Sequence, residues 1–152
     1  MKTHTLVATF SIICLAIVAS AATQKANRSL AQKIIDDAHR KLPDAAELGI
    51  SIVGSKGCLT IASTDKTDIG EKCEAEDAEP IRTGKPQVEK EGKNLDVTLP
   101  LHDAAGAVVG SVGIELAQKP GEVQADTVKH AQEIAREMEQ GIRSKAALTQ
   151  TF

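Results

Sequence analysis

The sequence predicts an α+β fold: a five-stranded antiparallel sheet with an N-terminal and a C-terminal helix packed on it. Three observations carry this reading. Apolar residues recur at helical spacing near both ends of the chain. Between those ends, five short runs alternate with period two or read as short strands bounded by turn signals. Strands clustered between terminal helices pair as an antiparallel sheet that the helices cover.

The first residues stand outside that fold. Lys2 supplies a basic start, Leu6 to Val18 is an almost unbroken apolar run, and Ala19-Ser20-Ala21 places small residues where a signal peptidase reads them. The run is shorter than the ~20 apolar residues of a membrane span. Residues 1–21 are therefore expected to be a cleaved leader, with a retained anchor as the alternative. Cys14 lies inside the apolar run with Ile13 before it, which does not fit a lipoprotein cysteine. The expected organisation is a signal peptide at 1–21, a flexible stretch at 22–28, one domain at 29–147 and a tail at 148–152. Export places the product in the periplasm or medium, with no membrane insertion after cleavage.

In chain order, Ser29 can cap a helix, with Gln32 completing a capping box. Leu30, Ile34, Ile35, Ala38 and Leu42 then repeat at helical spacing until Pro43, predicting a helix over 29–42. Leu48, Ile50 and Ile52, the turn Gly54-Ser55-Lys56-Gly57, and Leu59, Ile61 and Ser63 read as a β-hairpin. Thr64 to Pro86 is polar and too long for a bare loop, so a short helix is expected within Glu74–Ile81. Gln87–Glu91 reads as a strand ending at Gly92. Leu95, Val97, Leu99 and Leu101 then alternate with polar residues up to the turn at Asp103–Gly106. Val108–Leu116 is the longest strand, and Gly110 and Gly113 inside it mark a bulge or a close approach, such as a helix lying tightly on the sheet. Val123, Val128, Ala131, Ile134, Ala135, Met138 and Ile142 predict the last helix. Glu122 and Asp126 stand near its start and Arg143 and Lys145 near its end, as the helix dipole favours.

Composition narrows the function. The chain has no Trp or Tyr, and its two Phe are Phe10, in the leader, and Phe152, the last residue. Base stacking and aromatic cages for quaternary amines both need rings that the domain lacks. The formal net charge of −3 becomes −4 when Lys2 leaves with the leader, which argues against nucleic acid or anionic lipid as a partner. Cys58 and Cys73 are the two cysteines left after cleavage. An oxidising compartment favours pairing them, and two free thiols or a reactive pair is the alternative.

Several segments in order resemble bacterial extracytoplasmic PAS-like (Cache, or PDC-type) sensor domains. They are Ile61-Ala62-Ser63-Thr64, Asp68-Ile69-Gly70, Asp77, Thr83-Gly84-Lys85-Pro86, Val97 through Gly106, and Val109-Gly110-Ser111-Val112-Gly113. The resemblance covers about residues 29–147. It implies a five-stranded antiparallel sheet with a long helix on one face. On the opposite face, the long segment after the second strand would enclose a small ligand, typically a small organic acid, amino acid or similar metabolite. Most members sit between two membrane spans. This sequence shows no such flanking spans and no output domain, so a signal would pass through a separate membrane signalling or transport protein, or the protein would only bind and buffer its ligand.

The candidate ligand-binding residues are Arg82, Ser63, Thr64 and His102. The Arg82 guanidinium could hold a carboxylate in two-point fashion, or be a solvated surface arginine. Ser63 and Thr64 end a strand, where their hydroxyls could bond a ligand or cap the loop. His102 follows Leu101 at a strand end, while His39 and His130 read as surface residues. The acidic run Glu74, Glu76, Asp77 and Glu79 lacks the spacing and glycine turn of a calcium loop and reads as a solvated face. No metal motif, P-loop, nucleophile elbow or c-type haem attachment sequence occurs, and no cofactor is expected. The expectation is a non-catalytic, exported, sensor-like module for a small polar or anionic metabolite. An envelope interaction or adaptor protein using the same fold is the alternative.

Overall fold

A computed structural model describes residues 28–150, so the expected leader and the last two residues lie outside the described residues. The elements follow in the order α1 (Leu30–Lys41), β1 (Ala45–Gly54), β2 (Gly57–Ser63), α2 (Ala75–Thr83), β3 (Gln87–Glu91), β4 (Asn94–His102), β5 (Val108–Ala117), α3 (Gln124–Glu139) and α4 (Lys145–Leu148). The five strands form one sheet in the order β2-β1-β5-β4-β3, and every neighbouring pair is antiparallel. This is the α+β architecture expected from the sequence. Among the described residues, no helix is long and apolar enough to cross a membrane.

Alternation along the strands divides the sheet into two unlike faces. Leu48 and Ile50 of β1, Leu95, Val97, Leu99 and Leu101 of β4, and Val112, Ile114 and Leu116 of β5 are buried. They belong to one aliphatic cluster with Ala31, Ile34, Ile35 and Ala38 of α1 and Ala131, Ile134, Ala135 and Met138 of α3. Direct ladder partners within the cluster include Leu48 with Ile114, Ile50 with Val112, and Leu99 with Val112. The residues between them, Glu47, Gly49, Ser51, Asp96, Gly113 and Glu115, belong to the other face. That face is covered by α2 and the segment leading into it.

α1 begins as expected, with Ser29 Oγ accepting from the Gln32 backbone N–H at 3.1 Å. The other half of the expected capping box does not form. The Gln32 side chain is buried and crosses to the end of β2: its Nε2 donates to the Ser63 carbonyl at 3.1 Å, and its Oε1 accepts from the Ser63 N–H at 3.3 Å. β2 is an edge strand of this sheet, and an edge leaves backbone groups unpaired. Gln32 pairs with one such residue from across the layer.

The C-terminal region departs from the expected single helix. α3 ends at Glu139, so Arg143 and Lys145 lie beyond it, and Val123 is an exposed N-cap residue that contributes nothing to the core. The Glu139 carboxylate accepts from the His102 N–H at 2.8 Å and contacts His102 Nδ1 at 2.7 Å, which pins the end of α3 to the end of β4. Ile142 is still buried, but its carbonyl accepts from the Ala104 N–H in the β4–β5 turn and does not extend the helix. Ser144 then caps the short α4. Leu148 is fully buried, and the Gln150 carbonyl accepts from the Leu30 N–H at 2.9 Å. The packed domain therefore runs beyond residue 147.

Replacing Gln32 by Ala removes both hydrogen bonds to Ser63; Lys66 Nζ still donates to the Ser63 carbonyl at 2.6 Å, but the Ser63 N–H loses its partner. The expected loss is about 1–3 kcal/mol of unfolding free energy, measured by denaturant titration. A loss below ~0.5 kcal/mol, the range of neutral surface substitutions, would show that the β2 edge does not depend on this residue.

Candidate functional site

The polar face of the sheet floors a cavity of about 310 Å³. Gly49 and Gly113 are direct ladder partners at the floor's centre, so bare backbone replaces two side chains there. A Cβ added at Gly113 would stand 3.8 Å from Asp77 Oδ1 and 4.0 Å from Asp96 Oδ1. Two carboxylates, one from α2 and one from β4, thus converge over the same glycine. Gly113 lies beneath a helix side chain, in keeping with the close approach its place in a strand implied. Gly110 serves a different contact, since a Cβ there would meet the Ser51 carbonyl oxygen of β1 at 2.6 Å.

One wall is made by the chain that returns alongside β2. The Gly70 N–H donates to the Thr60 carbonyl at 2.8 Å, the Thr60 N–H donates to the Glu71 carbonyl at 3.0 Å, and Leu59 bridges Lys72. A disulfide between Cys58 and Cys73, with Cα atoms 5.3 Å apart, closes this arrangement. It ties the start of β2 to the loop that follows, as the sequence suggested. The chain-entropy model values a loop of 15 residues at about 3 kcal/mol, with that separation read from the chain. The wall brings Asp68, Glu71 and Lys72 to the cavity. The opposite wall is the start of α2, with Glu74, Glu76 and Asp77, joined by Glu91 of β3. The acidic run expected to be a solvated face is therefore divided. Its first three members line the cavity, and Glu79 turns outward to pair with Arg82.

The register of the sheet sets the electrostatics. Glu47 of β1 lies directly opposite Glu115 of β5, Glu115 lies opposite Asp96 of β4, and Asp96 lies opposite Glu89 of β3. Side chains so placed are about 4.5–5.5 Å apart at Cβ, and like charges there repel. Burial is the main cause that raises the Asp96 carboxyl to about 6, aided by the charges of Asp77, Glu91 and Glu115. Burial also leads in raising Glu47 to about 7, followed by its hydrogen-bonding carboxyl neighbour Asp68 and by Glu115. Asp77 is raised as well, chiefly by burial, against a backbone hydrogen bond that lowers it. Asn94 Nδ2 donates to Glu115 Oε1 at 2.7 Å and holds that carboxylate in the row.

The four residues singled out from the sequence lie elsewhere. Arg82 is on the outer side of α2, its side chain 71% exposed and its Nε 3.0 Å from Glu79 Oε2. His102 faces Glu139 at the far end of β4. Ser63 is fully buried; its Oγ accepts from the Asp65 N–H at 3.0 Å and donates to Asp68 Oδ2 at 3.3 Å. Thr64 Oγ1 accepts from the Leu48 N–H at 3.1 Å. None of the four lines the cavity, and Ser63 reaches it only through Asp68. Ser63 and Thr64 organise the loop behind the wall. The sequence reading missed Glu47, Asp96 and Glu115. Each occupies an outward position of an alternating strand, a signal that was present, but their alignment depends on strand order and register.

Among the described residues, no group of three or more His, Cys, Asp or Glu side chains converges closely enough to hold a metal ion. The carboxylates surround a volume and do not meet at a point.

No protein-family model matches the chain, and no curated protein matches its sequence. Solved structures do match its fold. The GAF-B domain of DevS from Mycobacterium smegmatis superposes with a TM-score of 0.55 at 10% identity, covering 74% of this chain and 89% of that one. The fold is GAF/PAS-like. The GAF domain of a two-component sensor histidine kinase from Bacillus halodurans gives a TM-score of 0.51 at 12% identity, over 72% and 91% of the two chains. The GAF domain of an Acinetobacter phosphoenolpyruvate-protein phosphotransferase gives 0.51 at 11% identity, over 76% and 83%. The five-stranded antiparallel sheet with flanking helices that the sequence resemblance implies is thus present.

The raised carboxyls make stability depend on pH with a definite sign. Glu47 and Asp96 bind protons more tightly folded than unfolded, so their contribution is full below the ordinary carboxylate range and is lost as pH rises through about 6 to 7. Carboxylates lowered by a partner, such as Glu137 beside Lys41, act in the opposite sense, and only at more acidic pH. The melting temperature should therefore fall between about pH 5 and pH 8. Asp96→Asn relieves a cross-strand repulsion of about 0.2–1 kcal/mol and should raise the melting temperature at about pH 8 by roughly 1–4 °C, with little effect near pH 4. A melting temperature that rises steadily from about pH 5 to pH 8, or an Asp96→Asn variant less stable at the upper end, would contradict this assignment.

Proposed function

We propose that this protein is an exported, non-catalytic, sensor-like module that binds a small polar molecule in the cavity between the sheet and α2. The observation that carries the proposal is the cavity itself. It lies on the sheet face that α1 and α3 leave free, beneath the segment after the second strand, where the family resemblance places a ligand. Its volume of about 310 Å³ falls at the small end of the range for small-molecule sites. The fold neighbours include GAF domains of a sensor kinase and of a phosphotransferase, which supports a sensing role. The leader-like opening of the sequence and the Cys58–Cys73 bond support an extracytoplasmic, Cache-type setting, since disulfides persist in oxidising compartments. A separate membrane signalling or transport protein would receive the signal.

The test is a thermal-shift survey of small polar metabolites spanning anionic, neutral and cationic classes, followed by Gly113→Val. The Cβ of the new residue meets only ordinary contacts, at 3.8 and 4.0 Å, and valine suits a strand, so the fold should survive while the cavity floor is filled. At least one compound should raise the melting temperature of the parent protein, and Gly113→Val should abolish that rise. Arg82→Ala, which alters a residue away from the cavity, should leave it intact. If no compound of any class stabilises the protein, or the rise persists in Gly113→Val, the cavity is not the binding site.

A further inference from the structure

We infer that the Cys58–Cys73 bond is the latch of a redox-operated wall: reduction releases residues 69–78 from the polar face of the sheet and dismantles the cavity, while the aliphatic core stays folded. The inference concerns how the cavity is closed and is read without any ligand, so it stands or falls separately from the proposed binding function.

Little besides this bond holds the wall. No residue from Thr64 to Glu79 is buried. Ile69, the one large aliphatic side chain in that stretch, is left 39% exposed. Hydrophobic burial, the main favourable term in folding, therefore contributes little there. At one end, Ser63 holds the loop through the Asp65 N–H and the Asp68 carboxylate. At the other, Pro80 is the only buried residue of α2. Between these anchors the chain meets β2 through three backbone hydrogen bonds. The Gly70 N–H donates to the Thr60 carbonyl, the Thr60 N–H to the Glu71 carbonyl, and the Cys73 N–H to the Cys58 carbonyl. All three lie at an edge strand of the sheet, in a segment with the few apolar contacts that mark easy local opening.

The start of α2 depends on the same bond. Glu74 is its N-cap residue, but the side chain makes no capping hydrogen bond. Pro80, inside the helix, lacks the N–H that would reach back to the Glu76 carbonyl. A helix this short is marginal by itself. Cys73 directly precedes the N-cap, so the disulfide fixes where the chain enters the helix.

Charge works against closure. Glu71, Glu74, Glu76 and Asp77 line the cavity opposite Asp96 and Glu115 of the sheet, and among the described residues Lys72 is the single cation in the lining. Like charges repel more strongly in a partly desolvated space than in open water. Weak attachment set against repulsion leaves the covalent tie to decide. That tie spans 15 residues, and it removes loop-closure entropy that a reduced chain would have to lose on closing.

Both cysteines are only half-buried, at the sheet margin, where a dithiol can reach them. One thiolate of the dithiol attacks a sulfur of the bond, forming a mixed disulfide and releasing the other cysteine as its thiolate. The second thiolate of the dithiol then attacks the mixed disulfide and releases the remaining cysteine. Two electrons pass to the Cys58–Cys73 pair, the two protons of the dithiol end on the freed thiols, and the dithiol leaves as its own disulfide.

The test is hydrogen exchange read by mass spectrometry on the full chain in three forms: oxidised, reduced with excess dithiothreitol in the absence of denaturant, and as the Cys58→Ser/Cys73→Ser double variant. Thiol alkylation should show that dithiothreitol opens the bond in the folded protein. Peptides covering residues 66–79 should then exchange at least about tenfold faster, alike in the reduced protein and the double variant. Peptides from α1, β4 and β5 should keep the protection of the oxidised form, and reoxidation should restore slow exchange in the wall. A bond that dithiothreitol reaches only after denaturation would overturn the inference. Unchanged exchange across residues 66–79 would overturn it too, because the wall would then hold without the bond. Faster exchange throughout the chain would also overturn it, since the bond would then hold the whole fold and not one wall. None of these results bears on whether the cavity takes a ligand, which the thermal-shift survey reads on the oxidised protein.

Discussion

The structure depends on the registration of one aliphatic sheet face against two helices. Because side chains alternate along a strand, fixing Leu48, Ile114 and Val97 against the core fixes Glu47, Glu115 and Asp96 on the reverse face. A slip of one residue in any central strand would turn its leucines and isoleucines outward. The core therefore holds the carboxylates in line against their mutual repulsion. Burial of a single Leu, Ile or Val contributes about 1.5–3 kcal/mol, and opposed like charges cost about 0.2–1 kcal/mol per pair. With some twenty apolar side chains in the core, packing decides the register and the acidic row follows from it.

The remaining elements complete the cavity on that fixed floor. The Cys58–Cys73 bond and the short ladder beside β2 hold the segment that carries Asp68 and Glu71. α2 ends at Gly84, in the left-handed region with φ 68°, where a glycine avoids the Cβ clash and lets the chain turn into β3. The two helices α1 and α3 lie on the far side, so the cavity opens on the face they do not cover. The bonds from Gln32 to Ser63 join the two faces, because Ser63 in turn organises the loop that presents Asp68.

Much of the fold was legible in the sequence because it rests on periodicity. The bounds of α1, β3, β4 and β5 lie within a residue or two of the reading, and the turn before Gly57 falls where Gly-Ser-Lys-Gly placed it. The end of α3 was not legible. The apolar spacing continues through Ile142, but the Gly141 and Ile142 N–H groups donate only three residues back, to the Met138 and Glu139 carbonyls, and the Ile142 carbonyl turns to the Ala104 N–H. The role of Gln32 was hidden for a related reason: a capping-box pattern and a cross-layer hydrogen bond look alike in sequence. The site was the least legible part. Its floor is assembled from residues far apart in sequence, aligned by ladder pairings that a single sequence does not display. Arg82 drew attention because it carries the charge suited to an anion, yet it lies on the outside of its helix.

The most direct test of this account is a carbon-13 NMR pH titration of the side-chain carboxyls in the unliganded protein. Asp96 should titrate near 6 and Glu47 near 7, both clearly above the surface carboxylates. If both titrate with the exposed acids near 4, the ordinary range, the row is solvated and dispersed, and the description of an acidic, partly desolvated cavity is wrong.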